Sequence, residues 1–334
     1  MKRQGNLIDK IADWNNLSLA FWKARKGKNA KIEVQNYRRN LQGEILSLRA
    51  DILSDSVRTG DYYYFTVHDP KKRQICAASF RERVLHHAII NICDPFFESY
   101  LIFDTYACRR GKGSHRAVDR AQNFSRRNRF YLKLDIAKYF DSINHVILMH
   151  LLEKRFKDKY LLVLLKKIIE SYETSPGKGV PIGNLTSQYF ANHYLGALDH
   201  FIKEQLCIRH YVRYMDDFIV WSDDRNELKD YLKSIRYFLR EMLSLELNDT
   251  IILNQTAGGV GFLGYRVFPD TVMLTKRSKA RFIKKYQSHE RNYLYGKWEE
   301  ADLAVHINPL IAFTKHANAH AFRKNTFERY GAVS

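Results

Sequence analysis

The chain has 334 residues, 45% of them hydrophobic, which is enough for two or three subdomains with apolar cores. Its 55 Lys and Arg against 36 Asp and Glu give a net charge of +19, and 13% of the residues are aromatic. This balance indicates a polyanionic partner, and no run approaches the roughly 18 apolar residues of a membrane span, so we expect a nucleic acid and no membrane.

The N-terminal 60 residues are basic and have helical spacing of their apolar positions. They contain no signal-peptide core, and the four cysteines show no CxxC or zinc spacing, which predicts a cytoplasmic protein with reduced thiols. Within 61–80, two runs rich in aromatic and β-branched residues flank a basic turn. They predict a β-hairpin with cations at its tip.

Residues 106–116 form a basic loop, punctuated by glycines, that enters a helix. Its main-chain amides, with Arg109, Arg110 and Lys112, are suited to hold template phosphates. Residues 131–143 predict a strand, a turn and a helix, with Asp135 where the strand ends, and 145–171 predicts a helical pair. Residues 179–192 predict a Gly-containing turn that opens a helix.

Residues 213–221 place two adjacent acids between apolar runs, which predicts a β-hairpin with Met215 and Asp216 at or near its turn. A solvated Asp-Asp turn is the alternative. Buried acids without a cation repel each other, so divalent metal is the natural partner of Asp216 and Asp217. With Asp135 at a strand end, these carboxylates suit a two-metal clamp for phosphoryl transfer.

Beyond the acids, residues 224–243 predict a helix and Gly259–Val267 a hairpin whose glycines let nucleic acid approach the main chain. From Lys276 the chain is helical and basic. His316 and His320 have a metal-like i,i+4 spacing, but nothing in the nearby sequence completes a site.

Tyr214-Met215-Asp216-Asp217, with Asp135 and the Phe five residues after it, resembles the palm of reverse transcriptases, and the resemblance covers roughly residues 15–325. It implies an α+β right-hand polymerase with fingers over 1–128, a palm with a split βαβ antiparallel sheet over 129–268 (including a helical segment, 145–175) and a short helical thumb over 269–334. The implied activity is RNA-directed DNA synthesis. Two Mg²⁺ ions, or Mn²⁺ instead, would be held by Asp135, Asp216 and the main chain of Ile136, with Asp217 supporting them or serving as a further ligand.

The resemblance also implies roles for surrounding residues. Arg73, assisted by Lys71, would contact the triphosphate of the incoming dNTP. Phe140, next to Tyr139, would exclude a 2′-hydroxyl, although a core aromatic fits the local pattern equally well. The other implied contacts to the nucleotide are Tyr139, Ile182, Gly183, Ser187 and Gln188, and those to template or primer are Arg109, Arg110, Lys112, Tyr214, Met215, Phe262, Leu263 and Gly264.

Most reverse transcriptases carry Gln-Gly-x-x-x-Ser-Pro where this chain has Ile182-Gly183-x-x-x-Ser187-Gln188. The latter resembles the reverse transcriptases of diversity-generating retroelements. An aliphatic side chain cannot make the hydrogen bonds of glutamine. In that family the loss of these hydrogen bonds accompanies misincorporation opposite template adenines. Related enzymes often place a lysine near 249–250 to protonate pyrophosphate, and this chain has Asp249-Thr250 there.

That resemblance implies further partners: a template-repeat RNA, a cDNA primer strand and a basic, oligomeric accessory variability determinant. Acidic residues such as Glu299, Glu300 and Asp302 are candidates to dock the accessory protein. Two alternatives are another bacterial reverse transcriptase (retron, group II intron or phage-defence type) and a non-catalytic RNA-binding relative. Intact Asp135, Asp216 and Asp217 argue against the non-catalytic one.

Overall fold

The computed structural model describes residues 3, 5–68 and 73–331. Their helices are α1 (Ile8–Ile11), α2 (Trp14–Ala24), α3 (Ile32–Arg39), α4 (Leu41–Leu53), α5 (Phe80–Glu98), α6 (Ser114–Arg127), α7 (Tyr139–Ser142), α8 (His145–Glu153), α9 (Lys159–Glu170), α10 (Leu185–His200), α11 (Arg225–Leu243), α12 (Lys276–Leu294), α13 (Glu300–Lys315) and α14 (His320–Tyr330). The strands are β1 (Tyr62–Val67), β2 (Arg73–Ala78), β3 (Phe130–Asp135), β4 (Tyr211–Tyr214), β5 (Asp217–Ser222), β6 (Ile252–Gln255), β7 (Val260–Phe262), β8 (Tyr265–Val267) and β9 (Val272–Leu274). Among the residues described, no helix has the length and apolar character needed to cross a bilayer.

The chain folds into two compact units, each assembled from three stretches of sequence. Unit 1 contains the described residues of 1–103, 136–207 and 233–249. Unit 2 contains those of 104–135, 208–232 and 250–334.

Unit 1 is mainly helical, and one carboxylate caps the N-termini of two of its helices. Asp158 accepts a hydrogen bond from the main-chain N–H of Leu161 at the start of α9, at 3.1 Å. Its other oxygen accepts from the N–H groups of Leu7 and Ile8 at the start of α1, at 2.6 and 3.0 Å. Because the first N–H groups of a helix have no partner within it, this buried acid stabilises both helices at once.

The β-hairpin predicted over 61–80 is confirmed. β1 and β2 pair antiparallel, from Tyr62 opposite Ala78 to Val67 opposite Arg73. Most of β1 is exposed, as in a hairpin that projects from its unit. Residues 69–72, including Lys71 and the other lysine predicted for the tip, lie outside the described residues. The helical pair predicted over 145–171 is also confirmed, as α8 and α9.

Unit 2 is built on an antiparallel sheet with the strand order β4-β5-β3-β6. β3 and β4 run parallel to each other with β5 between them, since each pairs antiparallel with β5. This is the predicted split βαβ arrangement. The strands form because Leu132, Leu134, Phe218 and Val220 are fully buried apolar or aromatic residues, the types favoured in the centre of a sheet.

A second sheet of unit 2 contains the hairpin predicted over 259–267. β7 and β8 form that hairpin, and β9, which the sequence did not predict, adds a third strand. Their inward side chains share a core with α6, including Phe124, Trp221 and Phe262. The basic segment after Lys276 is helical as predicted. Thr275 is the N-cap of α12, and its side chain accepts a hydrogen bond from the N–H of Ser278.

Candidate functional site

The two adjacent acids lie on the β4–β5 hairpin. Tyr214 pairs with Asp217, so Met215 and Asp216 form the two-residue turn, as predicted. Met215 has a φ of 58°, in the left-handed region that side chains other than glycine rarely adopt. Arg213, whose side chain is fully buried, donates from Nη1 to the carbonyl oxygen of Met215 at 2.9 Å. This charge-assisted hydrogen bond stabilises the strained turn.

Asp135, the last residue of β3, lies directly opposite Asp217 in the sheet register. Directly opposed residues of an antiparallel pair have Cβ atoms about 4.5–5.5 Å apart on one face. The carboxylate of Asp216 is close enough to that of Asp217 to influence its pKa, as is that of Asp135. Local hairpin geometry and strand register therefore bring together the three acids predicted from the sequence.

Asp217 occupies an environment that opposes its charge. Burial raises its pKa to about 6, Lys133 opposes that rise, and the negative charges of Asp135 and Asp216 add to it. Its Oδ1 is buried and has no hydrogen-bond partner among the described residues. An acceptor in this position favours a cation close by.

Lys133 is a site residue that the sequence reasoning missed. Its Nζ donates to Asp217 Oδ2 and to the carbonyl oxygen of Gly261, each at 2.9 Å. The signal was available, because positions 133 and 135 of one strand must face the same side of the sheet. Strand alternation could therefore have placed this lysine, two residues before a strand-end acid, beside the acidic cluster.

The three carboxylates suit a divalent ion in their chemistry, although their side chains do not converge on one point. Within the described part of the chain, no three or more His, Cys, Asp or Glu side chains are grouped as a metal site. Carboxylate oxygens are nevertheless the hard ligands that Mg²⁺ prefers, and Oδ1 of Asp217 has no hydrogen-bond partner among the described residues. Ile136 has a buried side chain and leaves only its main chain as a ligand.

Unit 1 contains a cavity of about 700 Å³ that includes two of the predicted nucleotide contacts, Arg73 and Ile182. Two further cations, Lys138 and Lys178, line it as well. The remaining lining residues are Gln74, Ala137, Asp141, Ser142, Tyr172, Thr174, Ser175, Ser244 and Glu246. The three cations outnumber the two carboxylates of the lining, Asp141 and Glu246, and with several hydroxyl groups they suit a polyphosphate.

The Ile182–Gly183 turn is joined to the second strand of the hairpin. Cys76 of β2 donates its N–H to the carbonyl oxygen of Ile182 at 2.8 Å. Gly183 has a φ of 122°, and a Cβ there would lie 2.8 Å from Cγ2 of Ile75. Glycine is required because this turn approaches β2 so closely.

Several residues predicted to contact the nucleotide or primer have buried side chains, which leaves little of the side chain for a ligand to touch. The side chain of Tyr139 lies in the core and donates its hydroxyl to the carbonyl oxygen of Ala191. Ser187 and Phe262 are also buried, so their side chains serve packing. The assignment of these three residues as contacts to the nucleotide or primer stays a prediction, and their burial favours a contact through the main chain. Phe140 is half-buried and packs edge-on against Tyr139.

Other predicted residues keep accessible atoms. Leu263 and Gly264 form the β7–β8 turn with φ values of 50° and 88°, and both are half-buried. Tyr214 and Gln188 are half-buried too. In the basic loop, Arg109 donates to the carbonyl oxygen of Thr105, Lys112 lies 4.9 Å from the ring centre of Tyr106, and Arg110 is exposed.

Comparison with known proteins gives a family match for residues 68–267, to the sequence profile described as "Reverse transcriptase (RNA-dependent DNA polymerase)". Protein YkfC of Escherichia coli (strain K12) is 23% identical over 285 residues, covering 70% of this chain and 73% of YkfC. The putative COX1/OXI3 intron 2 protein of Saccharomyces cerevisiae is 22% identical over 258 residues, covering 58% of this chain but only 30% of that protein. A solved telomerase structure from Candida albicans aligns with a TM-score of 0.49 at 14% identity, covering 81% of this chain and 56% of that one.

Proposed function

Because the chain belongs to the reverse transcriptase (RNA-dependent DNA polymerase) family, we propose that it makes error-prone cDNA from a template-repeat RNA of a diversity-generating retroelement. Its enzyme class is RNA-directed DNA polymerase, and its fold is the α+β right-hand polymerase fold. Fingers, palm and thumb are assigned to 1–128, 129–268 and 269–334. The family match spans every residue of the acidic cluster.

The observation that carries the catalytic part is the register that sets Asp135 opposite Asp217, one residue from Asp216. Asp135, Asp216 and the main chain of Ile136 would hold Mg²⁺, and Asp217 would support them. Bound there, Mg²⁺ would supply Lewis-acid activation of the primer 3′-hydroxyl and neutralise charge on the phosphates. The chain's own part is to hold Asp135 and Asp217 directly opposite each other in the sheet, with Asp216 in the adjoining turn, which fixes where the reacting groups meet.

The cavity of unit 1 supports the nucleotide part of the proposal. Arg73 lies on its wall and would pair with triphosphate oxygens, which guanidinium groups bind in a bidentate manner. Phe140 presents a half-buried ring after Asp135, as a filter against ribonucleotides would. Lys71, which lies outside the described residues, is proposed to assist Arg73.

The error-prone part rests on Ile182, which lines the same cavity as Arg73 instead of packing in a core. An aliphatic side chain at this wall offers no hydrogen bond to a nascent base pair. A mispair next to Ile182 leaves no polar side-chain group unsatisfied. The free-energy penalty against a mispair is therefore smaller than with a glutamine at this position. Weak discrimination at one wall of the pocket is the physical basis proposed for diversification.

The proposed partners are template RNA, the primer strand, dNTPs and a basic accessory variability determinant. Of the three acids considered for docking that protein, Glu299 and Asp302 form the capping box of α13. Reversing their charge would weaken the helix whether or not they dock a partner. Glu300 is exposed and outside that box, so its reversal is the informative test.

A second candidate function is that of another bacterial reverse transcriptase, of retron, group II intron-like or phage-defence type. The observation in its favour is that the yeast relative is named as an intron protein. It predicts accurate cDNA, whereas the diversification proposal predicts clustered errors. A non-catalytic RNA-binding relative predicts no synthesis at all.

The decisive experiment is primer extension on an RNA template by the purified protein, with Mg²⁺ or with EDTA, followed by cDNA sequencing. The proposal expects Mg²⁺-dependent cDNA with substitutions concentrated at template adenines. Asp216→Ala should abolish synthesis while RNA binding stays within about twofold, because a carboxylate carries negative charge and contributes little to phosphate binding. Accurate cDNA would favour the second candidate, and synthesis by Asp216→Ala would refute the assigned site.

A further inference from the structure

Lys133 is the cation of the acidic cluster, and its contacts are specific. Its Nζ lies 2.9 Å from Asp217 Oδ2 and 2.9 Å from the carbonyl oxygen of Gly261. Only 20% of the Lys133 side chain and 23% of the Asp217 side chain are exposed. An ammonium group held this way uses two of its three donors on one carboxylate and one main-chain carbonyl.

The position of Lys133 joins two parts of unit 2. It lies on β3 in the middle of the first sheet, opposite Ile219 of β5. Gly261 belongs to β7 of the second sheet, and the ring of Phe262 in the same strand lies 5.8 Å from Nζ. One side chain therefore connects the carboxylate of the β4–β5 hairpin to the main chain of the β7–β8 hairpin.

A purely structural lysine would be expected to extend its ammonium group into solvent, because burying it without need is costly. Here the ammonium group instead neutralises a carboxylate that two further acids already repel. Breaking a partly buried ion pair by removing one partner leaves the other charge uncompensated. The cluster thus depends on a cation even before any metal binds.

We infer that Lys133 is a positioning residue, an internal counter-ion that holds Asp217 in the metal-free protein and ties it to the β7–β8 hairpin through Gly261. A divalent ion then replaces the ammonium group as the neutralising charge at Asp217, while the bond to Gly261 persists. This metal exchange rests on the proposed function. The hairpin connection follows from the contacts alone.

The test compares Lys133→Met, which keeps the length but removes the charge, with Lys133→Arg, which retains the charge. Lys166→Met is the matched control, since that lysine is exposed and pairs only with Glu170 one turn away. The melting temperature of each purified protein is measured in EDTA and in Mg²⁺, without nucleic acid. Asp217→Asn, alone and combined with Lys133→Met, completes a double-mutant cycle.

In EDTA, Lys133→Met should melt roughly 5 °C below the wild type, and Mg²⁺ should restore most of the difference. Lys133→Arg should remain close to the wild type. The double variant should be more stable than Lys133→Met alone, because it carries no uncompensated carboxylate at 217. A Lys133→Met protein that behaves like the Lys166→Met control, or whose loss Mg²⁺ leaves unchanged, would overturn the counter-ion role.

The connection to the second sheet has its own readout. The dissociation constant of a primer–template duplex should rise about tenfold in Lys133→Met, the effect of one lost charge-assisted hydrogen bond on the hairpin. The KM for dNTP should stay within twofold, since the nucleotide cavity is lined elsewhere. Unchanged duplex binding would reject the connection. Failure of the wild type to extend any primer would instead reject the polymerase proposal and leave the melting results standing.

Discussion

Ile182 contributes to the site through two separate groups. Its carbonyl oxygen accepts the N–H of Cys76, which fixes the turn against β2. Its side chain lines the nucleotide cavity. A substitution of the side chain therefore changes the cavity wall and leaves the main-chain bond in place, which makes residue 182 a clean test of fidelity.

Ile182→Gln should make the cDNA more accurate. A glutamine amide at this wall can hydrogen-bond near the nascent pair, and one such bond, about 1 kcal/mol, corresponds to roughly a five- to tenfold reduction of errors at template adenines. The measurement is deep sequencing of cDNA made by the variant and the wild type from one template.

Ile182→Leu is the matched control for that measurement, since it keeps an apolar side chain of the same size. It should retain the adenine errors of the wild type. If Gln and Leu variants share one error spectrum, residue 182 does not set fidelity, and the diversification proposal loses its physical basis.

The residues that the sequence could not assign fully are those whose role depends on burial. Tyr139 and Phe262 were identified from motifs, but a motif does not tell whether the side chain or the main chain faces the ligand. Their burial is decided by Ala191 and by the core around α6, which are distant in sequence. Lys133, by contrast, was predictable from strand alternation.

At the scale of elements, the β4–β5 hairpin was predictable because its signals are local. Apolar runs on both sides of a two-residue turn specify it within ten positions. The main-chain hydrogen bonds that hold this hairpin against a distant segment were not predictable. Arg213 N–H donates to the carbonyl oxygen of Asp104, and Tyr106 N–H donates to that of Arg213, contacts that join segments a hundred residues apart.

Gly183→Ala should loosen the anchor of the β1–β2 hairpin. The new Cβ would lie 2.8 Å from Ile75 Cγ2 and 3.2 Å from the Cys76 carbonyl oxygen, at a φ of 122°. Strain and overlap together should cost about 1–3 kcal/mol of unfolding free energy. Because β2 begins with Arg73, we also expect a higher KM for dNTP.

Gly177→Ala separates strain from overlap. Gly177 also has a positive φ, 69°, but a Cβ there meets nothing within 4 Å. The Gly177→Ala variant should lose about 1 kcal/mol of unfolding free energy, because alanine is strained in the left-handed region. Its KM for dNTP should equal that of the wild type. Thermal unfolding and steady-state kinetics of both variants distinguish the two effects. Equal KM values for Gly183→Ala and Gly177→Ala would show that the close approach to β2 is unimportant for nucleotide binding.

At the scale of the whole molecule, the sequence predicts consecutive regions, while the compact units are interleaved. The sheet of unit 2 pairs residues 130–135 with 217–222 and with 252–255, so one unit must collect distant stretches of chain. Linear composition carries no signal for such pairing. The split βαβ strand order could be predicted only because the acid motifs identified β3, β4 and β5. The division into fingers, palm and thumb stays a prediction.

The net charge of +19 makes a prediction that does not depend on any single residue. Each phosphate neutralised by Lys or Arg releases condensed counterions, so affinity for RNA must fall as salt rises. If about seven phosphates of single-stranded RNA are contacted, each contributing about 0.7 to the slope, raising KCl from about 50 to 200 mM should weaken binding by roughly a thousandfold. Filter binding of a labelled RNA across this range measures the slope of log affinity against log salt.

Asp216→Ala is the control for that slope, because it removes the proposed metal ligand and no cation. Its slope should equal that of the wild type, whereas a variant lacking two basic-loop cations, Arg109→Ala with Arg110→Ala, should be shallower by roughly 1.5, since each lost contact to single-stranded RNA contributes about 0.7. Affinity that is independent of salt would mean that the positive charge serves another purpose. An unchanged slope in the loop variant would place the phosphate contacts on other cations of the chain.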